Sequence, residues 1–325
     1  MATLKDVAAK SGVTVTTVSR VLNNRGYISG ETRDKVYAAM KELNYQPNEI
    51  ARSLSKQKNN SIGIIVPHIE HPYFARLIGY LEREAANRNY KIMICNSHAK
   101  FEKEIDYLEM FQSHRVTGII LCSRSVDIGK FISLNIPVVS IERPVDVGTT
   151  SVECDNYQGG VLAAEHLIAS GCKHLVHFSG IENEAMPADA RCKGFVNVCE
   201  DRNIPHKEVE CKADNYLNME YHSLIESVLL ENPEVDGIFA SSDLIAAQVI
   251  QVARKMNIHV PTNLKIVGFD DVNIASLASP TITTIHQPIK EMAKEAINCL
   301  IKCAEDHVVP SRIQLPVTLV KRETT

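Results

Sequence analysis

The segment between Thr3 and Leu22 constrains the fold most, because it predicts two short helices in immediate succession. Thr3 and Asp6 have the spacing of a capping box, in which a hydroxyl and a carboxylate satisfy the first amides of a helix. Gly12 can adopt the left-handed conformation that ends a helix, and Thr14 can cap the next one. Two short helices joined by a glycine-containing turn are typical of a helix-turn-helix, whose second helix can enter the major groove of DNA.

The second of these helices has one apolar side and one side of small or polar residues. Packing of the apolar side would leave short side chains free to approach base edges and phosphates, and an arginine can bind guanine through two hydrogen bonds. An ordinary helical hairpin with a solvated Arg20 is the alternative. We expect Val18, Val21 and Leu22 to point inward, and Val15, Thr16, Ser19 and Arg20 to point outward.

A third helix is predicted over residues 31–43, where apolar residues recur at helical spacing. Ser29 can cap its start, while Asn44 and Pro47 mark its end. Three short helices bury enough apolar surface for a small module. The residues predicted to face the interior are Val36, Ala39, Met40 and Leu43.

Residues 48–56 form a further short segment, which is too short to be stable as an isolated helix in water. Leu54 lies in this segment between Arg52 and Lys56. An apolar side chain beside cations can pry open a base step from the minor groove. The segment is therefore predicted to be a hinge helix that forms on DNA, followed by a polar linker.

Five short motifs follow one another through these residues: Lys5-Asp6-Val7-Ala8, Thr17-Val18-Ser19-Arg20-Val21-Leu22-Asn23, Glu31-Thr32-Arg33, Tyr45-Gln46-Pro47-Asn48 and Ala51-Arg52-Ser53-Leu54. In order and spacing they resemble the lactose-repressor/galactose-repressor family of bacterial transcription factors. The resemblance extends to about Val320. It implies a homodimer that binds palindromic double-stranded operator DNA, with the two cores paired through helices near 73–88 and 102–115.

The motif and the resemblance together predict which residues contact DNA. The second helix would lie in the major groove and the paired hinge helices in the minor groove. Val15 and Thr16 stand at the variable reading positions and lack long donors, so the base preference stays open. The predicted contacts are Thr3, Val15, Thr16, Thr17, Ser19, Arg20, Asn23, Tyr27, Asn48, Ala51, Arg52, Leu54, Ser55 and Lys56.

The charge distribution agrees with a DNA-binding N-terminus. The net charge of the 325-residue chain is −4, but residues 1–60 hold ten Lys or Arg against five Asp or Glu, which gives +5 and leaves −9 for residues 61–325. A basic head on an acidic body confines the attraction for nucleic acid to the head. We predict a DNA-binding head over 1–47, a hinge and linker over 48–60, and an effector-binding and dimerisation domain over 61–325.

Cysteine usage indicates a reducing compartment. The nine cysteines include no Cys-x-x-Cys pair, and members such as Cys95 and Cys122 lie within apolar runs, as reduced core thiols do. Cys299, Cys303 and His307 share a helical face but form an incomplete ligand set, so we expect no metal and no other cofactor. No signal peptide or membrane-spanning run is evident, and we expect a cytoplasmic protein without a membrane partner.

The larger domain alternates short β-rich runs with amphipathic helices, such as one predicted over 74–88. This alternation predicts an α/β fold with parallel sheets covered on both sides. The rhythm restarts after residues 155–160, which favours two doubly wound halves with a cleft between them at the carboxyl ends of the strands. The predicted strands are Ile62–Val66, Ile92–Cys95, Gly118–Cys122, Val138–Ile141, Leu175–Phe178, Gly237–Ala240 and Leu264–Val267.

The resemblance adds a topology that periodicity could not supply. Family members share the fold of periplasmic sugar-binding proteins, in which the chain passes between the two halves three times. The crossings would fall near 156–160, 284–288 and 315–318. The implied subdomains are an N-subdomain over about 61–157 and 288–314, and a C-subdomain over about 158–286 and 317–325.

Several candidate ligand residues lie at strand ends. The resemblance implies two more precisely, because Arg191, in Arg191-Cys192-Lys193-Gly194-Phe195, and Asp270, in Gly268-Phe269-Asp270-Asp271, match the family's effector-contacting arginine and carboxylate. A planar arginine and carboxylates suit vicinal hydroxyls, and an aromatic ring can stack on a sugar or a base. Tyr73 and Phe74 could instead be core or interface residues, and a buried Arg191 could be a structural partner of Asp270. His286 and Gln287 look like hinge residues. The predicted effector-binding residues are Tyr73, Phe74, Ser123, Glu142, Arg191, Tyr216, Ser242, Asp243, Asp270 and Ile289.

The residues distinguish an enzyme, a transport-type binding protein and a transcriptional regulator. None of the usual catalytic motifs is present, which disfavours an enzyme. A transport-type binding protein would carry a secretory signal where this chain has a basic helix-turn-helix. The favoured reading is a repressor of a carbohydrate-utilisation operon, released by a small sugar or sugar phosphate, and the resemblance is closest to repressors of sucrose and related fructoside operons. A corepressor-dependent regulator, of the purine type or with a phosphoprotein partner, is the alternative.

Overall fold

The computed structural model describes residues 2–23, 25–45, 60–122, 136–143, 150–181 and 186–325. The predicted hinge helix, with its contacts from Asn48 to Lys56, and the predicted effector contact Ser123 lie outside these residues. The chain divides into two compact units, Met1–Asn59 and Asn60–Thr325, which we call the head and the body.

The head contains the predicted helix-turn-helix. The amide of Thr3 donates to the carboxylate of Asp6 at 2.7 Å, and the amide of Asp6 donates to the Thr3 hydroxyl at 3.4 Å, so the capping box is present. Gly12 ends the first helix with a φ of +68°, and the hydroxyl of Thr14 accepts a hydrogen bond from the amide of Thr17 at 3.1 Å. The helices described in the head are α1 Leu4–Ser11, α2 Val15–Asn23 and α3 Gly30–Glu42.

Small apolar side chains form the core of the head. Val18 and Val21 of α2 are buried and Leu22 is partly buried, as predicted for the inward side of the helix. The amide of Thr32 donates to the Ser29 hydroxyl at 3.3 Å, so α3 begins one residue earlier than predicted behind the expected cap. The buried residues of this core are Val7, Ala8, Val18, Val21, Val36 and Ala39.

The described part of the body contains two six-stranded sheets, as expected for two doubly wound halves. The first sheet is parallel and has the order β11-β5-β4-β3-β1-β2, with β1 Ser61–Val66, β2 Lys91–Asn96, β3 Gly118–Leu121, β4 Val138–Ile141, β5 Thr150–Cys154 and β11 Arg312–Leu315. The second has the order β12-β10-β9-β8-β6-β7, with β6 Leu175–Ile181, β7 His206–Cys211, β8 Gly237–Ala240, β9 Lys265–Asp270, β10 Thr283–His286 and β12 Thr318–Val320. Only the pairing of β10 with β12 is antiparallel among these strands.

Helices cover both faces of these sheets, which explains the continuous apolar runs of the central strands. Ile64 and Ile120 face one core of the first sheet, whereas Ile65 and Ile119 face the opposite core together with Phe111. The helices described in the body are α4 Pro72–Ala86, α5 Phe101–Ser113, α6 Asn156–Ala169, α7 Ala190–Asp201, α8 Ala213–Asn218, α9 His222–Glu231, α10 Asp243–Lys255, α11 Asn273–Leu277 and α12 Ile289–Ala304.

Helix α4 begins two residues earlier than the predicted start at residue 74. His71 provides the cap, because its Nδ1 accepts a hydrogen bond from the amide of Tyr73 at 3.3 Å, and Pro72 occupies the first helical position. Proline is favoured there since its missing N–H would have no partner in the helix. This start turns Tyr73 and Phe74 towards the carboxyl ends of the strands.

The chain passes between the two sheets three times. After Cys154 it enters α6, which packs against β8, β9, β10 and β12 of the second sheet. After His286 it enters α12, which packs against β3, β4 and β5 of the first sheet. The last crossing lies between Leu315 and Thr318. We call the part of the body around the first sheet lobe 1 and the part around the second sheet lobe 2.

Candidate ligand-binding cleft

A pocket of about 860 Å³, partly open to solvent, lies between the two lobes at the carboxyl ends of their strands. The position is the one that open α/β sheets use for ligands. Seven of the predicted effector residues line it: Tyr73, Phe74, Glu142, Arg191, Tyr216, Ser242 and Asp270.

Arg191 is fixed in the first turn of α7 and is almost fully buried. Its Nε donates to Oδ1 of Asn156 at 2.7 Å, and its Nη1 donates to the carbonyl of Ser241 at 2.7 Å. The guanidinium also lies 3.6 Å from the centroid of the Phe269 ring. Two of the five guanidinium N–H donors are therefore assigned to the protein, and the group is held rigid beside the pocket.

Glu142 is connected to Arg191 through hydrogen bonds with Asn156. Its Oε1 accepts a hydrogen bond from the amide of Cys154 at 2.7 Å, and its Oε2 accepts one from Nδ2 of Asn156 at 2.8 Å. Asn156, at the first crossing between the lobes, thus connects a lobe 1 carboxylate with the guanidinium of Arg191 in lobe 2. Glu142 has a φ of +55°, a strained conformation for a residue other than glycine and one that is common at functional sites.

Asp270 at the end of β9 supplies a second carboxyl, which is buried, and its φ of +106° is again strained. Its Oδ1 accepts a hydrogen bond from Nε2 of Gln287 at 2.7 Å. Burial raises the pKa of Asp270 to about 7, against the lowering influence of Arg191 and Gln287. Arg191 makes its hydrogen bonds with Asn156 and Ser241 and acts on Asp270 electrostatically, so the direct Arg191–Asp270 pair considered as an alternative is not what the structure shows.

Two buried polar atoms beside the pocket have no hydrogen-bond partner among the described residues. One is the hydroxyl oxygen of Tyr73, whose pKa is raised well above its ordinary value by burial and then by the nearby Glu142. The other is Oε1 of Gln287. Leaving a buried polar group unsatisfied costs about 1–3 kcal/mol, so a ligand hydroxyl that bonded to either atom would recover free energy.

Two predicted effector residues do not line the pocket. Asp243 is fully buried behind it, where its Oδ1 accepts a hydrogen bond from the Thr284 hydroxyl at 2.5 Å and its Oδ2 accepts one from the amide of Val272 at 2.8 Å. The start of α10 turns this side chain to the sheet, while the preceding Ser242 reaches the pocket and caps the helix. Ile289 is buried in the core at the start of α12.

Several residues that line the pocket were not among the predicted effector contacts. His71, Ser241 and Tyr221 line the pocket, and so does Gln287, which was interpreted only as a hinge residue. The signal for Gln287 was its place in a predicted crossing between the two halves. Ser241 precedes the predicted Ser242 and His71 lies two residues before the predicted Tyr73, and neither carried a separate signal.

In the head, α2 presents the predicted outer side to solvent. Val15 exposes 41% of its surface, and Thr16, Ser19 and Arg20 are exposed as well. Tyr27, beyond the helix, is 98% exposed. Thr3 and Thr17 hold positions in the two helix caps, and the side chain of Asn23 lies outside the described residues. Contact of any of these residues with DNA stays a prediction.

The described residues contain no cluster of three or more histidine, cysteine or acidic side chains that could hold a metal ion. Nor does any helix in the described parts of the chain combine the length and apolar character needed to cross a lipid bilayer. All nine cysteines are free thiols.

A helix-turn-helix head joined to a two-lobed body with a polar cleft defines the class of ligand-regulated transcription factors. The chain belongs to the family of bacterial regulatory proteins called the lacI family, whose model matches residues 3–48. Residues 164–325 match the periplasmic binding protein-like domain. The resemblance carried by the sequence motifs is therefore confirmed.

Relatives that match the chain along its whole length include proteins named as sugar operon repressors. The chain is 37% identical to the ribose operon repressor of Halalkalibacterium halodurans, over 100% of this chain and 97% of the relative. It is 38% identical to the sucrose operon repressor of Streptococcus mutans, over 100% and 99%. A crystal structure of a periplasmic binding protein/LacI transcriptional regulator from Alkaliphilus metalliredigens, complexed with D-xylulofuranose, is 33% identical with a TM-score of 0.75 and covers 82% of this chain and 99% of that one.

Proposed function

We propose that this chain represses a carbohydrate-utilisation operon and leaves its operator when a small neutral sugar binds the cleft. The observation that carries the proposal is the cleft itself. Arg191, Glu142 and Asp270 are held rigid there by protein hydrogen bonds, next to the unpartnered Tyr73 hydroxyl. A ring with several hydroxyls can bond to an arginine, to carboxylates and to a phenol at once, and can stack on Phe74.

The relatives and the pocket lining favour an effector that is neutral and forms a five-membered ring. The relatives named for ribose and sucrose, and the neighbour bound to D-xylulofuranose, share sugars or sugar units that form five-membered rings. The pocket lining includes Arg191 against Glu142 and Asp270, so a phosphate would meet more negative than positive charge. A neutral pentose or a fructofuranoside therefore suits the cleft better than a sugar phosphate.

The remaining parts of the proposal follow from the head. The exposed side of α2 would read one half-site, and a homodimer would match the two half-sites of a palindromic operator. The effector response needs affinity that differs between two states and no chemical step, so the protein is not expected to be an enzyme. A DNA-binding repressor with nine free thiols would work in the reducing cytoplasm. A corepressor-dependent regulator is the second candidate, which the sign of the effector response decides.

The test uses the full chain and an operator selected from a random DNA library. D-ribose, D-fructose, sucrose and D-xylulose are titrated calorimetrically, with ribose 5-phosphate for comparison. We expect one neutral sugar to bind and to release the operator. Arg191→Met should weaken that sugar by about a hundredfold, since a charge-assisted bond typically contributes a few kcal/mol.

The matched control is Arg202→Met, at the exposed C-terminal end of the same helix. It should leave both sugar and DNA binding unchanged. Release of the operator by the same sugar concentration in Arg191→Met and in the unsubstituted protein would contradict the assignment of the cleft. Tighter binding of ribose 5-phosphate than of any neutral sugar would contradict the neutral ligand.

A further inference from the structure

A directional contact joins the two lobes outside the pocket. Nη1 of Arg76, on α4 of lobe 1, donates a hydrogen bond to the backbone carbonyl of Asp271 in lobe 2 at 2.6 Å. Asp271 directly follows Asp270, whose carboxyl lines the cleft. The two lobes are therefore joined one residue away from a proposed effector contact.

The carbonyl that Arg76 reaches belongs to a rigid turn. Oδ1 of Asp271 accepts a hydrogen bond from Nη2 of Arg322 at 2.6 Å, and its Oδ2 lies 2.9 Å from Nδ1 of His286 at the second crossing. Burial by itself would raise the pKa of Asp271, but the bonds from His286 and Arg322 outweigh it and lower the pKa.

The turn also has an unusual backbone. Asp270 and Asp271 both have positive φ angles, +106° and +55°, which only a well-supported structure maintains. A change in the backbone at Asp270 would therefore move the carbonyl of Asp271 as well. This links the conformation around the effector carboxyl to the acceptor that Arg76 uses.

Arg76 has a second partner within its own helix. Its guanidinium carbon lies 5.9 Å from the centroid of the Tyr80 ring, inside the range of a cation–π contact. Release of the Asp271 carbonyl would thus leave the charge on an aromatic surface rather than without support. The side chain makes both contacts at once, one that joins the lobes and one within its own helix.

We infer that the Arg76–Asp271 bond is a latch that holds the lobes closed and reports effector binding at Asp270. The identity of the ligand rests on the proposed function, whereas the hydrogen bond between Arg76 and Asp271 is seen in the structure. An effector bonded to Asp270 fixes the turn with its carbonyl in reach of Arg76, so latch and effector stabilise the same closed state. Arg76 is then a positioning residue that slows effector release without touching the effector.

The test compares Arg76→Gln, Arg76→Lys and the control Arg83→Gln in the full chain. Arg83 lies on the same helix, is exposed, and contacts the same Tyr80 ring at 5.7 Å. With D-ribose or sucrose as the probe, Arg76→Gln should release the sugar about tenfold faster, the scale of one charged hydrogen bond, at an unchanged association rate. Arg76→Lys keeps one donor and should restore part of the loss, while Arg83→Gln should match the unsubstituted protein.

A second arm needs no sugar. Hydrogen exchange of the peptide over residues 268–275 should be faster in Arg76→Gln than in Arg83→Gln, because the turn loses its tie to lobe 1. Equal exchange in the two variants would overturn the latch, as would equal sugar release rates. Failure of every sugar to bind the unsubstituted protein would instead overturn the proposed function, and hydrogen exchange would still decide on the latch.

Discussion

Among the residues that line the cleft, Asp270 has a pKa that burial raises strongly. Burial raises its pKa from 3.8 to about 7. Between these values the native state holds a proton that the unfolded chain has released, so the free energy of unfolding must fall as the pH rises through this interval. Above about pH 7 the cleft contains an ionised carboxylate, which accepts hydrogen bonds from sugar hydroxyls.

Asp270→Asn should reduce this pH dependence, because the amide does not titrate, while the buried Asp243, whose pKa is also raised by burial, keeps its own contribution. We expect the variant to gain stability relative to the unsubstituted chain as the pH rises from about 5 to about 8, by on the order of a few kcal/mol at most. Urea unfolding of the full chain at both pH values measures the difference. Asp214→Asn, at an exposed position, is the control and should follow the unsubstituted chain. Parallel pH profiles for Asp270→Asn and the unsubstituted chain would contradict the buried proton.

In the cleft, some predicted effector residues line the pocket and others do not. Arg191 and Asp270 were predicted because their motifs match the family, and both line the pocket. Asp243 was predicted beside Ser242 at the same strand end, yet only Ser242 lines the pocket. Adjacent residues at a helix start point about 100° apart, and the sequence does not state which of the two faces the ligand.

Among the strands, those with apolar runs were predicted from the sequence and the polar ones were not. The central strands β1, β3, β4 and β8 are continuous apolar runs because both faces of a parallel sheet are covered. Strand β2 was predicted although it lies at one edge of the first sheet. Strands β7, β11 and β12 occupy the other three edges and were not predicted, and neither were the largely buried β5 and β10, which are interrupted by threonine, glutamate or histidine. Pairing within the sheets, rather than hydrophobicity, makes these segments strands, and pairing is not visible in a local pattern.

Helix α4 offers a test of the proposed homodimer. A Cβ added at Gly79 would meet no atom within 4 Å, so a larger side chain there leaves the fold of one protomer undisturbed. If α4 pairs across the dimer, Gly79→Lys places a bulky charge in the interface. We expect monomers in analytical ultracentrifugation and weaker operator binding, since two linked heads bind a palindrome more tightly than separate ones.

Ser223→Lys is the matched control for this change, because Ser223 is exposed on α9 of lobe 2. It adds the same charge and should leave the dimer intact. Unchanged sedimentation of Gly79→Lys, at concentrations where the unsubstituted chain is dimeric, would place the dimer interface elsewhere. A loss of dimers in both variants would mean that added charge, and not the position, is responsible.

For the whole molecule, the sequence predicts an arrangement in which a basic head and an acidic body have separate tasks. Residues 1–60 carry +5 and residues 61–325 carry −9, so the body should repel DNA while the head attracts it. Coupling between the two then has to pass through the predicted hinge, residues 48–56, rather than through direct contact of the effector site with DNA. We expect a segment this short to be unstable as a lone helix and to become helical only with both DNA and its dimer mate.

We predict that the coupling between sugar binding and operator binding is negative. A sugar that closes the cleft should destabilise the paired hinge helices and release the operator. A coupling of about 1–3 kcal/mol is enough to change operator affinity severalfold to a hundredfold. By reciprocity, saturating operator must weaken sugar binding by the same factor, which calorimetric titration of the sugar with and without operator measures. Arg191→Met should abolish the difference between the two titrations, because the variant no longer senses the sugar. Tighter sugar binding in the presence of operator would establish corepression, and the effector would then hold the repressor on DNA.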